Sequence, residues 1–315
     1  MIITNRFDLP DPVYQAILWQ ESAHKANADI SNTSLIDSPL RVWLYKKYNA
    51  YIEEDASERL WVLYGSLAHM ICEKFGHKTG QHVEKQVIAD VTSWKVSTTL
   101  DYILEDNVLS DYKLTSCWTT VEGVKDEWVK QLNVGLWLMR NCNDSEMVKV
   151  GEGVKKLEIV ALFRDWVHSN ADKFPHKVQK LPVTVWENDK AKSYIEERVV
   201  LHQEAQKDMN VVPPMCSDTE RWMSDFAVMD KGKKTAVKAK IKTREEAEKW
   251  KAELNCDYIR EAKPRRCEDY CVYAKNHVCP WFDYENKITR DEPEIAPISG
   301  CAEDPELRRK DGPNV

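Results

Sequence analysis

The chain has 315 residues, room for one large domain or a core plus a small module, and its 43% hydrophobic and 31% charged composition is that of an ordinary soluble globular protein. It shows no long apolar run and no signal-peptide pattern, which excludes the membrane-spanning and secreted classes and predicts a soluble cytoplasmic protein without a membrane partner. A net charge of -7 argues against general coating of nucleic acid but not against a local basic groove, and nine cysteines without a secretory signal predict reduced thiols or metal ligands rather than a disulfide framework.

Residues 1–30 read as a polar lead-in with a short helical piece around Tyr14 to His24. Ser31 to Tyr48 follows, with Ser and Thr before an apolar pattern as a helix N-cap and Pro39 in the first turn of a second helix. Glu58 to Phe75 carries Leu60, Trp61, Leu63, Tyr64, Leu67, Ala68, Ile71 and Cys72 at helical spacing. Gly65 lies one turn before His69 on the same face, so a backbone or ligand can approach there. Val83 to Ala89, Trp94 to Leu104 and Val108 to Leu114 read as strands. Trp128 to Arg140 reads as a helix with Val129, Leu132, Leu136 and Met139 on an apolar stripe. Leu157 to Phe163 reads as a buried strand, Val183 to Trp186 as an edge strand and Asp189 to Met209 as a long polar helix. This order predicts a mixed sheet with helices on its faces.

A second unit begins near Val211. Phe226 to Met229 and Thr235 to Ile241 read as strands. Thr243 to Leu254 reads as a helix capped by Thr243, and Asp257 to Glu261 as a returning strand. Between Lys231 and Arg244 the chain is basic without an acid: Lys231, Lys233, Lys234, Lys238, Lys240, Lys242 and Arg244. Strand alternation places Lys238, Lys240 and Lys242 on one face, as a solvated strand or a phosphate-facing ribbon. Cys267, Cys271 and Cys279 then fall in a short Pro-flanked stretch, a spacing for thiolate ligands of Zn²⁺ or an iron–sulfur cluster. Cys216, Cys256 and His277 are candidates for the fourth ligand. Beyond Lys287 an acidic, Pro-containing tail is expected to be loose.

The chemistry concentrates in Thr99 to Thr115. Apolar runs flank Glu105-Asp106-Asn107, which reads as a β-hairpin with a three-residue loop. In that register Leu104 pairs with Val108, Asp101 sits opposite Asp111, and Lys113 joins the same face. Two facing carboxylates repel unless a cation lies between them, and a hard divalent cation with oxygen ligands suits the place. A neighbouring lysine can position water and offset developing negative charge.

Taken together, these pieces resemble the PD-(D/E)XK nuclease superfamily, in the branch of RecB-type and phage recombination exonucleases. Gly65-Ser66-Leu67-Ala68-His69 resembles the family's Gly-x-x-x-His helix, Asp101 its first acid, Asp111-Tyr112-Lys113 its (D/E)-x-K element, and Gln131 the glutamine of the following motif. Gly135 stands where the branch often has Tyr, and Ser38 where cluster-bearing members often have Cys. Cys216 with the basic βαβ segment and Cys267, Cys271 and Cys279 resembles the C-terminal module of phage-encoded members.

The resemblance implies an α/β restriction-endonuclease-like core, a central mixed sheet flanked by helices, over residues 31–210. A small Cys-rich α+β module over 211–286 and a tail over 287–315 would follow. It further implies a Mg²⁺- or Mn²⁺-dependent DNA exonuclease of recombination or repair, in the host cytoplasm if phage-encoded. Its catalytic residues would be Asp101, Asp111, Lys113 and Gln131. Its metal ligands would be His69, Asp101, Asp111 and the Tyr112 carbonyl. Cys216, Cys267, Cys271 and Cys279 would hold a [4Fe–4S] cluster or Zn²⁺. DNA would be the partner, joined by a single-strand annealing protein or a helicase, with the oligomeric state open. The alternatives are a non-catalytic DNA-binding or assembly protein on the same scaffold and an endonuclease of the same fold.

Overall fold

The computed structural model describes residues 1–23, 27–76, 82–103 and 106–291. The segment read as a lead-in opens with a strand, β1 (Ile2–Thr4), and a helix, α1 (Asp11–Ala23). β1 pairs in parallel with β3 (Glu53–Asp55), and Ile17 of α1 is fully buried with Ala56 and Leu63. Between them lie β2 (Ile30–Ser31), α2 (Asn32–Ile36) and α3 (Pro39–Tyr48). The Ser31 side chain accepts from Ser34 N, and Pro39 opens α3, as the sequence predicts. A short helical turn then leads into α4 (Leu60–Gly76).

The main sheet is mixed. β4 (His82–Val91) and β5 (Trp94–Ile103) form a long antiparallel hairpin. β6 (Val108–Thr115) runs antiparallel to β5 for only two residue pairs, Tyr102 with Ser110 and Ile103 with Leu109. That register is the expected one, and Asn107 in the turn takes a left-handed φ of 64°. The pairing of Leu104 lies outside the described residues. α5 (Asp126–Asn141) and α6 (Ser145–Gly153) lead to β7 (Lys156–Phe163), which pairs in parallel with β6 along its whole length. β8 (Val178–Val183) closes that edge antiparallel to β7, and α7 (Asn188–Lys207) packs back on α2, α3 and α5.

Two expectations fail here for identifiable reasons. The edge strand is Val178–Val183 rather than Val183 to Trp186. Asn133 takes the hydrogen bonds that a ladder would use: its amide donates to Thr184 O at 3.1 Å, and its carbonyl accepts from Trp186 N at 2.7 Å. Nor does α5 bury one stripe. Asn133, Val134, Trp137 and Leu138 are buried as well, because α5 is enclosed by the sheet, α6 and α7.

The rest of the chain carries α8 (Asp218–Arg221) and an antiparallel three-stranded sheet in the order β10 (Lys238–Ile241), β9 (Phe226–Met229), β11 (Tyr258–Arg260). α9 (Arg244–Glu253) packs on that sheet, with Thr243 Oγ1 accepting from Glu246 N at its N-cap. α10 (Val272–Lys275) and the hairpin of β12 (Phe282–Asp283) with β13 (Ile288–Thr289) follow, so ordered pairing extends into the expected tail. The remainder of that tail, residues 292–315, lies outside the described residues. No helix among the described residues is long and apolar enough to cross a membrane.

Candidate active site

The site forms where β5 and β6 fork. On the edge of β5 away from β4, Val96 and Ser97 pair with β2, and Tyr102 and Ile103 pair with β6. Thr98 to Asp101 lie between those two pairings. Asp101 spans the fork: its Oδ2 accepts from Tyr112 N at 2.8 Å. In an extended strand the N–H and C=O of one residue point to the same edge, so the Tyr112 carbonyl also faces this gap. Asn32 seals the base of the fork by donating to Gln131 O at 2.8 Å and to Thr98 Oγ1 at 3.2 Å.

The expected residues meet here. His69 on α4 brings Nδ1 to 3.5 Å from Asp101 Oδ2 and 3.1 Å from Glu84 Oε1. One ligand atom from each of His69, Glu84 and Asp101 lies within 4.8 Å of the others. Lys113 Nζ sits 2.7 Å from Asp111 Oδ2 and donates to Gln131 Oε1 at 2.9 Å. Asp101 and Asp111 are 7% and 4% exposed. A Cβ built on Gly65, one turn before His69, would meet nothing within 4 Å, so the helix is open to approach at that level. At Gly135 a Cβ would come within 3.3 Å of Leu100 Cδ2, so the tyrosine common in the resembled branch has no room there.

The electrostatics mark a place for a cation. Burial, and then the Asp111 charge, push the Asp101 carboxyl up to about 7. The Glu84 hydrogen bond, with the Asp101 and Asp111 charges behind it, raises His69 against its desolvation. Asp111 Oδ2 is buried without a hydrogen bond of acceptable geometry, although Lys113 is close. Carboxylate oxygens, an imidazole and a strand carbonyl converging on one gap fit Mg²⁺ or Mn²⁺. Glu84 is the member that the sequence reading missed. It lies across from Asp101 in the β4–β5 register and takes a φ of 46°, a left-handed conformation uncommon outside glycine. An acid in the strand paired with β5 was the available signal, usable only once that register was known.

The other candidate residues lie apart from this site. Cys216, Cys267, Cys271 and Cys279 gather in one apolar cluster with Leu40, Trp43, Leu44 and Tyr273. Of the alternatives for the fourth ligand, Cys256 belongs to a separate cluster with Val228 and Ile241, and His277 is exposed. Ser38 is buried and adjoins the Cys216 thiol, so the residue standing where cluster-bearing members of the resembled branch often have Cys faces this cluster. Burial pushes Cys216 up to about 11, and Cys267 and Cys279 up to about 12.

The basic segment is not a regular ribbon. Lys240 has a φ of 61° within an irregular register between Lys238 and Ile241, which breaks the expected alternation. Lys242 pairs with Asp225 at 2.7 Å, Lys233 with Asp230 at 2.8 Å, Lys240 with Glu122, and Arg244 with Glu261 at 3.2 Å. Lys238 lies 4.2 Å from the Trp250 ring centroid.

Fold and site together define an α/β protein with a carboxylate, histidine and lysine centre at a strand fork. The chain matches no family profile and no curated protein. Among solved structures it is similar to a protein described as SSO0001, with 14% identity, a TM-score of 0.42, and 60% of this chain and 84% of that one covered. It is also similar to an alkaline exonuclease (LHK-Exo) from Laribacter hongkongensis, with 14% identity, a TM-score of 0.34, and 57% and 89% of the two chains covered. The same exonuclease in complex with dAMP aligns with 12% identity, a TM-score of 0.35 and the same coverage.

Proposed function

We propose that the protein is a metal-dependent DNA nuclease, and more narrowly an exonuclease of phage or bacterial recombination or repair. One observation carries this reading: Lys113 Nζ is held between Asp111 and Gln131, beside the ligand atoms of His69, Glu84 and Asp101. His69, Glu84, Asp101, Asp111 and the Tyr112 carbonyl are assigned to Mg²⁺ or Mn²⁺, which when bound polarises the phosphate and offsets the charge growing on it. Lys113 donates to the attacking water and orients it toward phosphorus. The water oxygen forms the new P–O bond and gives up its proton to solvent, as the bond to the leaving sugar oxygen breaks and that oxygen takes a proton from solvent. Gln131 fixes the direction of the ammonium, and Gly65 leaves room for the strand to approach.

Cys216, Cys267, Cys271 and Cys279 are assigned to a cluster rather than to zinc. A single tetrahedral Zn²⁺ at ~2.3 Å from each sulfur needs sulfurs about 3.8 Å apart. Among the described residues, however, only His69, Glu84 and Asp101 form a group of three with ligand atoms all within 4.8 Å. No three of these thiols form so compact a group, and we assign them to the larger multi-iron cluster. Arg41, which pairs with Asp37, also faces Cys271 and Cys216, and its buried Nε has no hydrogen-bond partner.

The test is digestion of end-labelled linear and closed circular DNA with Mg²⁺ or Mn²⁺, wild type beside Lys113→Ala. Loss of linear DNA alone, abolished by Lys113→Ala, is the expected result. Cut circles would make the protein an endonuclease. Binding without cleavage would make it a scaffold.

A further inference from the structure

Beside the site, the structure contains a cavity of about 490 Å³ between the start of α5, the end of α2 and the segment from α8 to Arg266. Gln131 is part of its wall, and the same side chain accepts from Lys113 Nζ at 2.9 Å. The cavity therefore opens one side chain away from the lysine. Its size is that of a pocket for a single small ligand, too small for a base pair with its two backbones.

The lining selects the chemistry. Trp222, 39% exposed, supplies the aromatic surface, and Trp128, 7% exposed, backs the wall. Lys125 Nζ lies 5.4 Å from the Trp128 centroid and 6.0 Å from the Trp222 centroid, and Arg266 lies 5.1 Å from Trp222. These cations already have carboxylate partners, with Asp37 shared between Arg266 and Arg41. Arg266 is gripped by Asp37 at 2.9 and 3.0 Å, Lys130 by Asp126 at 2.5 Å, and Lys125 lies 3.5 Å from Glu127. Charge alone therefore does not single out a phosphate here. A flat, neutral group with hydrogen-bonding edges would find aromatic faces, donors and carboxylate acceptors together.

Trp222 is held in place by its backbone. It follows the capping box of α8 at φ 54° and ψ 52°, its N–H donating to Asp218 O and Thr219 O. A bulky residue in the left-handed region is an outlier, and such strain persists where the surroundings fix it. Tyr270 braces the ring edge-on at 5.4 Å.

We propose that this cavity holds an unpaired nucleobase of the DNA strand, stacked on Trp222, next to the bond that is cut. The proposal rests on the nuclease reading for what happens beside the pocket, but not for the binding of the base. The full chain is titrated with a short labelled single-stranded DNA in Ca²⁺, comparing wild type, Trp222→Phe and Trp222→Ala. The expected result is binding about tenfold weaker for Trp222→Ala and near wild type for Trp222→Phe, the scale of removing one base stack. In parallel, single abasic nucleotides are moved along the end of a linear substrate under Mg²⁺. One position is expected to slow wild-type cleavage about tenfold and to have no effect in Trp222→Ala.

Cleavage with unaltered binding and unaltered abasic profile in Trp222→Ala overturns the pocket and leaves the nuclease standing. Weakened binding without any hydrolysis leaves the pocket and overturns the nuclease. If neither variant folds, wild-type protein crosslinked to iodouracil-bearing single strands decides. A crosslink at Trp222 or Trp128 supports the pocket, and crosslinks confined to other residues overturn it.

Discussion

Asp101 governs how the site responds to pH. Burial and the Asp111 charge raise its carboxyl from 3.8 to about 7, so the folded chain holds this proton more tightly than the unfolded chain does. The stability that the proton confers is complete below the unfolded value and is lost as pH rises toward about 7. His69 acts in the same sense, since its raised pKa stabilises the fold below its unfolded value and that contribution is lost as pH rises through the folded one. Asp101→Asn keeps an acceptor for Tyr112 N–H while removing the charge. Without metal it is expected to be more stable than wild type by about 1–2 kcal/mol above neutral pH, with the gap closing toward about pH 4. It is also expected to lose the Mg²⁺-induced rise in melting temperature. Calorimetry in the presence of chelator and of Mg²⁺ checks both, and an intact Mg²⁺ response would remove Asp101 from the ligand set. Gln131 acts through Lys113, so Gln131→Ala is expected to lower kcat about 10–100-fold with KM little changed, the cost of a misdirected group. A change in KM alone would make it a substrate contact instead. Asp101, Asp111 and Lys113 could be picked out because strand alternation puts them on one face of a hairpin, whereas Gln131 was named only through the family resemblance. Glu84 could not, because its place depends on a strand register and a left-handed backbone that no local pattern announces.

At the scale of elements, the close approach of α5 to β5 decides what Gly135 can become. Its Cβ would sit 3.3 Å from Leu100 Cδ2 and 3.8 Å from Asn32 Nδ2. Gly135→Tyr is expected to cost about 3 kcal/mol or more, because a ring must be forced into a packed interior. A denaturation midpoint equal to wild type would show that α5 can shift away from the sheet. The hairpin, the capped helices and the buried strand at Lys156–Phe163 were legible because their signals are local: turn residues, N-caps and an apolar run. The edge strand was not, because β8 holds Pro182 and alternates weakly, while the more apolar Val183 to Trp186 is claimed by Asn133. The basic segment shows the same limit, since a bulge at Lys240 undoes its alternation. Its ion pairs are exposed and contribute little to stability. Reversing Lys231, Lys234 and Lys238 to Glu is expected to weaken DNA binding and to flatten its salt dependence by about 0.9 in log–log slope for each phosphate no longer neutralised. Unchanged affinity and slope would confine this segment to a structural role.

Across the whole molecule, the cysteine cluster joins distant parts of the chain. Leu40, Trp43 and Leu44 of α3, with Ile52, share one buried cluster with Tyr273, Phe282 and the four cysteines. Arg266, one residue before Cys267, reaches Asp37 at 2.9 Å. A group bound by these thiols would therefore fasten the C-terminal segment to the helices that precede the sheet. The Cys216, Cys267 and Cys279 thiols are pushed well above neutral pH by burial, so their protons must be displaced when a metal binds, and loading should weaken as pH falls. Protein purified without oxygen is expected to contain iron and to absorb in the visible. Cys271→Ser is expected to lose that iron and to unfold at lower temperature, since binding free energy at such a site is folding free energy. Because the strand fork lies outside this cluster, Mg²⁺ should still raise the melting temperature of the iron-free variant, which separates the two metal sites. Colourless protein with neither iron nor zinc, and with a melting temperature indifferent to Cys271→Ser, would leave the four cysteines as free thiols and the junction held by apolar packing around Leu40, Trp43, Tyr273 and Phe282.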